Sequence, residues 1–492
     1  MLNSILELLK YNPAEPLIFT SGLFLFMFLF FMGVYYLLRR QLTPRILFVI
    51  AFSLYFYYKT SGFYFLLLVF LSLSDFGLGH FIHNARTRTM RRWFLGISLA
   101  INLGVLCYFK YTNFLQGIFM QLIEDPFEFQ NIFLPIGISF FTFQSMSYII
   151  DIYRERITPL DRYRDYLFYV SFFPQLVAGP IVRARDFIPQ IRRNPAAVSR
   201  AEFGEGVFLI IGGLFKKAII SDYISLNFVD RIFDNPTLYT GFENLMGLYG
   251  YALQIYCDFS GYSDMAIGLA LLLGFRFRPN FDSPYKSATI TEFWRRWHIS
   301  LSSWLKDYLY ISLGGNRKGK VRTYVNLMVT MLLGGLWHGA AWRFVIWGGL
   351  HGTALAAHKA VMGAFPGFKP QGQDMPRWRR VLGIIFTFNL VCLSWVLFRA
   401  ESMQTAGEML GQIFTSFHPE IAFDFIKGYK WVFLLIVIGY LLHFASAKVE
   451  RRAMEIFQKL PIVLYAVFIT ALIWLIMQMR SGEVQPFIYF QF

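Results

Sequence analysis

Long apolar runs alternate along this chain with short stretches that concentrate Lys and Arg, and that alternation predicts a helical bundle crossing a bilayer many times. The first run, about 16–38, ends at Arg39-Arg40. It is too long for a signal-peptide core and lacks a small-x-small cleavage site, so it reads as a retained anchor. Two spans at about 45–58 and 63–83, parted by Lys59-Thr60-Ser61, lead to Arg86, Arg88, Arg91 and Arg92. Both basic loops belong in the cytoplasm, which puts the N-terminus outside. A span at about 93–110 leads to Glu124, Asp125 and Glu128 on the outside, and one at about 131–152 returns to Arg154, Arg156, Arg162 and Arg164. Further runs at about 204–232, 244–273, 323–338, 342–359, 381–398, 429–447 and 460–479 bring the expectation to roughly twelve crossings, with loops 84–92, 315–322 and 448–459 inside.

Two stretches break the alternation. Residues 166–182 are apolar but carry Pro174, Gly179 and Pro180, and basic residues lie on both flanks. A segment that enters and leaves on one side keeps both flanks inside, and such broken backbone needs protein or a water-filled cavity around it. Residues 290–313 predict an amphipathic helix that does not cross. Thr289-x-x-Glu292 has capping-box form, Trp294, Trp297, Leu301, Trp304, Leu305 and Tyr308 make an apolar stripe, charges occupy much of the rest, and Gly314-Gly315 can end it. The stripe suits either the membrane surface or the underside of the bundle.

Composition sharpens this picture. Of 492 residues, 56% are hydrophobic and only 15% charged, too few for the surface of a soluble chain this long. The runs are continuous rather than alternating, which disfavours a transmembrane barrel. The net charge of +16 sits in the loops between spans, so it reports orientation and not nucleic-acid binding. Cys107, Cys257 and Cys392 lie in apolar spans as small core residues, with neither disulfide nor metal spacing. With no repeat, low-complexity run or soluble domain, residues 1–492 read as one integral-membrane domain.

The candidate chemistry is histidine. His338, in Gly334-Gly335-Leu336-Trp337-His338-Gly339-Ala340, is an ionisable group in a run with no charge between Arg322 and Arg343. Such residues face a protein interior or a wet cavity, and the flanking small residues let other helices approach. For a lone histidine the bland reading, a hydrogen-bonded bundle residue, is the better one. His298, in Trp294-Arg295-Arg296-Trp297-His298-Ile299-Ser300, changes the balance. Asp258, Ser260, Tyr262 and Asp264 form a polar cluster too dense for lipid exposure; they are either paired struts or the lining of a polar path. No P-loop, nucleophile elbow or zinc-spaced set is present.

Asp258-Phe-Ser-Gly-Tyr-Ser-Asp264, Trp294-Arg-Arg-Trp-His298-Ile-Ser-Leu and Gly334-Gly-Leu-Trp-His338-Gly-Ala resemble the membrane-bound O-acyltransferase family. Leu134-Pro-Ile-Gly-Ile-Ser-Phe-Phe-Thr-Phe-Gln144 and Phe172-Phe-Pro-Gln-Leu-Val-Ala-Gly-Pro-Ile181 are similar to its bacterial members, and the Phe-Ile-Tyr-Phe-Gln-Phe ending to the alginate O-acetylase branch. The resemblance covers about 130–360. It implies an all-α transmembrane bundle with re-entrant and amphipathic interfacial helices, in the bacterial cytoplasmic (inner) membrane. It also implies acyl transfer to a hydroxyl of an envelope polysaccharide, with His338 essential and His298 supporting, and an extracytoplasmic SGNH-type acetyltransferase as partner. The donor expected is acetyl-CoA or another acyl thioester, with no bound cofactor and no metal. Asp258, Ser260, Tyr262, Asp264, Trp294, Arg295, Arg296, Trp297 and Trp337 are the expected substrate contacts, and Arg295, Arg296 or Lys306 the candidates for donor phosphate or an oxyanion. Two other readings stay open: D-alanyl transfer to teichoic acid from a carrier protein, and a transporter or flippase, against which stands the lack of paired interruptions in two halves.

Overall fold

A computed structural model describes residues 7–13, 15–193, 197–365, 375–479 and 487–488, which are mainly helical with no strand among them. The final Phe-Ile-Tyr-Phe-Gln-Phe motif therefore lies largely outside the described residues. The chain divides into two compact units: Met1–Ile210 with Tyr262–Arg278, and Ile211–Gly261 with Pro279–Phe492.

The first unit opens with α1 (Gly22–Leu38), α2 (Leu42–Ser61) and α3 (Phe65–Asn84). Ser21 caps α1 by accepting from the Phe24 amide. The break between α2 and α3 falls at Gly62, whose φ of +62° suits glycine, and not at Lys59, which stays helical and buried and donates to the carbonyls of Leu8 and Lys10. Next comes α4 (Arg88–Leu122), capped by Thr87. Its 35 residues far exceed the span expected at 93–110, because the basic stretch Arg88–Arg92 is its first turn rather than a loop and the helix runs on past Lys110 to Leu122. Asp75 of α3 is buried and accepts from Ser98 and Asn102 of α4, so its carboxylate ties the two helices together.

The segment expected to re-enter is a set of short, buried pieces beside α5 (Ile138–Tyr153): α6 (Tyr163–Ser171), α7 (Phe173–Leu176) and α8 (Ala184–Ile191). Residues 165–181 are all buried. The freed Tyr169 carbonyl is claimed by the amides of Gln144 (2.7 Å) and Gln175 (2.5 Å), the internal satisfaction such backbone requires. Gly137, at φ +81°, approaches this segment so closely that a Cβ would lie 2.7 Å from the Leu176 carbonyl.

α9 (Arg200–Leu214) and α10 (Gly241–Leu272) run from one unit into the other, joined by a segment with π-helical turns at Phe215–Ser221 and Ser225–Val229 in place of the uninterrupted span expected to 232. The second unit continues with α11 (Ile290–Arg296), α12 (Ile299–Trp304), α13 (Gly319–His338), α14 (Trp342–Ala364), α15 (Arg377–Arg399) and α16 (Met403–Thr415). It closes with α17 (Lys430–Phe444), α18 (Ala447–Gln458) and α19 (Ile462–Met479). The expected cytoplasmic loop 448–459 is the amphipathic α18, set at 117° to α19.

Among the described residues, three stretches are long and apolar enough to cross a membrane: Leu42–Asn84, Arg88–Leu122 and Arg377–Arg399. Counting each of two sharply bent pairs as one span gives five. The larger count from the hydropathy pattern includes helices such as the 16-residue α5, buried inside protein, and α13, which begins in a basic stretch. The protein is a multi-pass membrane protein.

Candidate active site

The site lies in the second unit and starts from glycine. A Cβ at Gly335 would overlap the Phe344 carbonyl, one at Gly348 the Met331 carbonyl, and one at Gly339 the Phe344 ring. α13 and α14 can therefore pack backbone to backbone, joined by only Gly339-Ala340-Ala341. His338 is the last residue of α13 and is 3% exposed. Three rings box its imidazole: Trp337 at 5.0 Å, Trp347 at 5.2 Å and Phe398 at 5.2 Å between centroids.

His298 is reached by a break the sequence did not signal. The helix expected over 290–313 is two helices, with His298 between them in the left-handed region at φ +44°, ψ +57°. That turn, costly for a residue with a Cβ, drives the imidazole inward to full burial. The Asn280 side-chain oxygen lies 3.2 Å from His298 Nδ1 and also accepts from the Ser300 amide and hydroxyl. The amide oxygen is thus the acceptor and Nδ1 the donor, which leaves the lone pair on Nε2. His298 stands outside any spanning helix, and burial pushes its imidazole down to about 3. Its ring meets Phe259 edge-on at 4.6 Å and Trp337 at 6.1 Å. Phe259, His298, Trp337 and His338 thus form one row of rings.

The other expected contacts distribute unevenly. Trp294 donates its indole N–H to His351 Nδ1 (3.3 Å) and packs on Trp347 (5.7 Å), one ring away from His338. Trp297 is 1% exposed and packed against Phe281, Phe293 and Trp395, a core residue. With Leu301, Trp304, Leu305 and Tyr308 also buried, most of the apolar stripe faces protein. Arg296 is engaged by Glu292 (3.0 Å) and Asp282 (3.2 Å). Arg295 instead lines a cavity of about 470 Å³ together with Trp294, Lys306, Met331, His358 and Lys359. Met331 is two turns before His338 on α13, so this cavity comes within about 10 Å of it along the helix axis. Asp258 is a paired strut: it meets Lys217 at 2.7 Å and accepts from the Ile488 amide at 2.8 Å. Ser260 is buried, its hydroxyl without a hydrogen-bond partner among the described residues. Tyr262 and Asp264 belong to the first unit, where Tyr262 stacks on Phe19 at 4.7 Å.

Sequence reasoning missed His351, Trp347, Phe398, Asn280 and Lys359. His351 carried the same signal as His338, an imidazole among glycines in an uncharged run. It is 2% exposed, and because Nδ1 accepts from Trp294, Nε2 donates to the Ser394 hydroxyl (3.0 Å), which passes its own proton to the Val391 carbonyl (2.7 Å). Three helices are clamped through this one ring. Among the described residues no group of three His, Cys, Asp or Glu could hold a metal ion.

The family model described as "MBOAT, membrane-bound O-acyltransferase family" matches residues 132–397, beginning near the expected boundary and running past it. A probable alginate O-acetylase of Pseudomonas putida is 39% identical over 97% of this chain and 100% of its own length. Another from Pseudomonas syringae pv. tomato is 43% identical over 81% of this chain and 75% of its own length. A peptidoglycan O-acetyltransferase of Helicobacter pylori is 38% identical over 83% of this chain and 81% of its own length.

Proposed function

The chain belongs to the membrane-bound O-acyltransferase family and is an O-acyltransferase, and from that premise we propose that it moves an acetyl group from a cytoplasmic thioester to a hydroxyl of an envelope polysaccharide, with His338 as general base. The observation that carries this reading is the position of His338: a buried imidazole at a helix end, two turns from a cavity edged by cations. The thioester, acetyl-CoA or a related donor, enters that cavity. Arg295, Lys306 and Lys359 meet its phosphates, and Trp294 and Met331 line the apolar path of its arm.

The acceptor hydroxyl oxygen attacks the thioester carbonyl carbon while its proton passes to His338. The new C–O bond forms, the C–S bond breaks, and the proton is returned to the departing thiolate. Trp337, Trp347 and Phe398 enclose the imidazole and exclude water that would hydrolyse the donor. His298, held by Asn280, supports the ring row from the other side of Trp337.

Alginate, named for two of the relatives, is the acceptor polymer favoured, reached through an extracytoplasmic SGNH-type acetyltransferase, in the bacterial cytoplasmic membrane with the N-terminus outside. Identity near 40% to O-acetylating relatives favours acetyl over D-alanyl cargo. Reconstituted protein given a labelled acetyl thioester tests the reading. Thioester cleavage dependent on His338 is expected; no cleavage, with movement of intact polymer across the bilayer, would identify a flippase.

A further inference from the structure

In the second unit, α10, α15 and α17 enclose a groove of about 430 Å³ that the proposed reaction does not use. Its walls include Ile384, Ile385, Phe388, Phe433, Ile436 and Phe444. The polar side chains along it are engaged within the protein: Tyr249 donates to the Asn389 side-chain oxygen (2.7 Å), Asn389 to the Ile385 carbonyl (2.9 Å) and Tyr440 to the Tyr249 carbonyl (2.8 Å). The groove therefore offers a guest hydrocarbon, and apolar space of this kind does not hold water. On α17 the lining runs from Phe433 to Phe444, about 16 Å of helix. That is close to half of a hydrocarbon core roughly 30 Å thick, the depth of one leaflet. Among the described residues α15 is one of the stretches apolar enough to cross, and its Leu382, Ile385 and Phe386 are exposed.

One end of the groove is cationic. Phe388 packs on Tyr440 (5.9 Å), so Ile384, a turn before the one, and Phe444, a turn after the other, mark the same end. Just beyond stand Arg377, Arg379 and Arg380 on α15 and Lys448, Arg451 and Arg452 on α18. Between them Lys286 donates to the Ala445 carbonyl (2.6 Å). Carboxylates offset only part of this charge: Glu292 meets Arg380 (3.7 Å), Glu455 meets Arg451 (3.8 Å), and Glu450 lies on α18. No residue of α18 is buried, and its Val449 and Ile456 are exposed. An amphipathic helix of that kind lies in the membrane interface, which sets its cations at headgroup level. We propose that the groove binds an anionic phospholipid, with one acyl chain along α17 and the phosphate on the cations of α15 and α18. A lipid seated there braces Phe388, which packs on Tyr285 (5.3 Å), itself packed on Trp297 (6.1 Å). The assignment is independent of the role given to His338.

Native mass spectrometry of the full chain in detergent, offered phosphatidylglycerol and phosphatidylethanolamine with the same acyl chains in equal amounts, tests this. Wild type should retain the anionic lipid over the zwitterionic one by at least about tenfold. Arg377→Gln/Lys448→Gln/Arg452→Gln, which alters exposed side chains only, should still bind lipid but lose most of that preference. Ile384→Trp, which fills the groove, should retain neither lipid while keeping its thermal midpoint. Equal retention of both lipids by wild type would overturn the proposal, and so would a preference that survives the three glutamines. A folded Ile384→Trp protein that keeps its lipid would place the site elsewhere. A lipid-free dimer that Ile384→Trp dissociates would show that a second copy, and not a lipid, covers the groove. If Ile384→Trp fails to fold, the wild-type preference and its loss in the glutamine variant decide the matter.

Discussion

Trp347 touches both His338 (5.2 Å) and His351 (4.7 Å), so the ring that walls the candidate base is itself held by a second imidazole. His351 is a positioning residue, tying Trp294, Trp347 and Ser394 together without facing the donor cavity. Replacing it by Leu strands the Trp294 indole N–H, and a buried polar group left unpaired costs about 1–3 kcal/mol. His351→Leu should lower the thermal midpoint in detergent, and His351→Gln, which can both accept and donate, should recover part of it. Equal midpoints for Leu and wild type would remove the clamp from the account. His338 could be singled out from the sequence because an imidazole in an uncharged run is chemically anomalous. His351 passed unnoticed because no second motif drew attention to it, and Asn280 because the turn that brings His298 to it is invisible in residue order.

The α13–α14 pair is the element on which the site depends. Its close approach requires hydrogen at Gly348, where a Cβ would overlap the Met331 carbonyl, but not at the neighbouring Gly349, where a Cβ would meet only the Leu332 side chain at 3.6 Å. Gly348→Ala should destabilise by about 1–3 kcal/mol through overpacking. Gly349→Ala should be neutral or gain up to about 1 kcal/mol of helix propensity. Matched thermal challenges of the two variants check the contrast, and a Gly348→Ala protein as stable as Gly349→Ala would contradict the packing described. The pair was legible in advance, since hydropathy marks both helices and the glycines mark their contact. The broken helix at His298 was not: a left-handed histidine is imposed by tertiary burial, and the apolar stripe through Trp297 and Leu301 continues across the break. Basic clusters such as Arg88–Arg92 and Lys448–Lys459 read as loops because charge marks a side of the membrane without saying whether the backbone is helical.

For the whole molecule the account rests on a cytoplasmic donor and an acceptor outside. A cysteine replacing Arg88 should resist an impermeant thiol reagent in intact cells and react after permeabilisation, because the surrounding basic cluster favours the cytoplasm. Ready labelling from outside would invert the orientation. Fold class and family were legible from long apolar runs and three short motifs. The division into two units was not, because it depends on which helices pack together, and hydropathy gives each run the same signal. The central claim remains that one buried imidazole takes the acceptor's proton. The direct measurement is transfer from labelled acetyl thioester by purified, reconstituted protein, comparing wild type, His338→Ala and His298→Ala, each first shown to keep its detergent-extracted size profile. Loss of a general base costs about 10²–10⁴-fold, so His338→Ala should lose measurable transfer and His298→Ala should retain more. Wild-type transfer by His338→Ala would make His338 a packed bundle histidine and contradict the account.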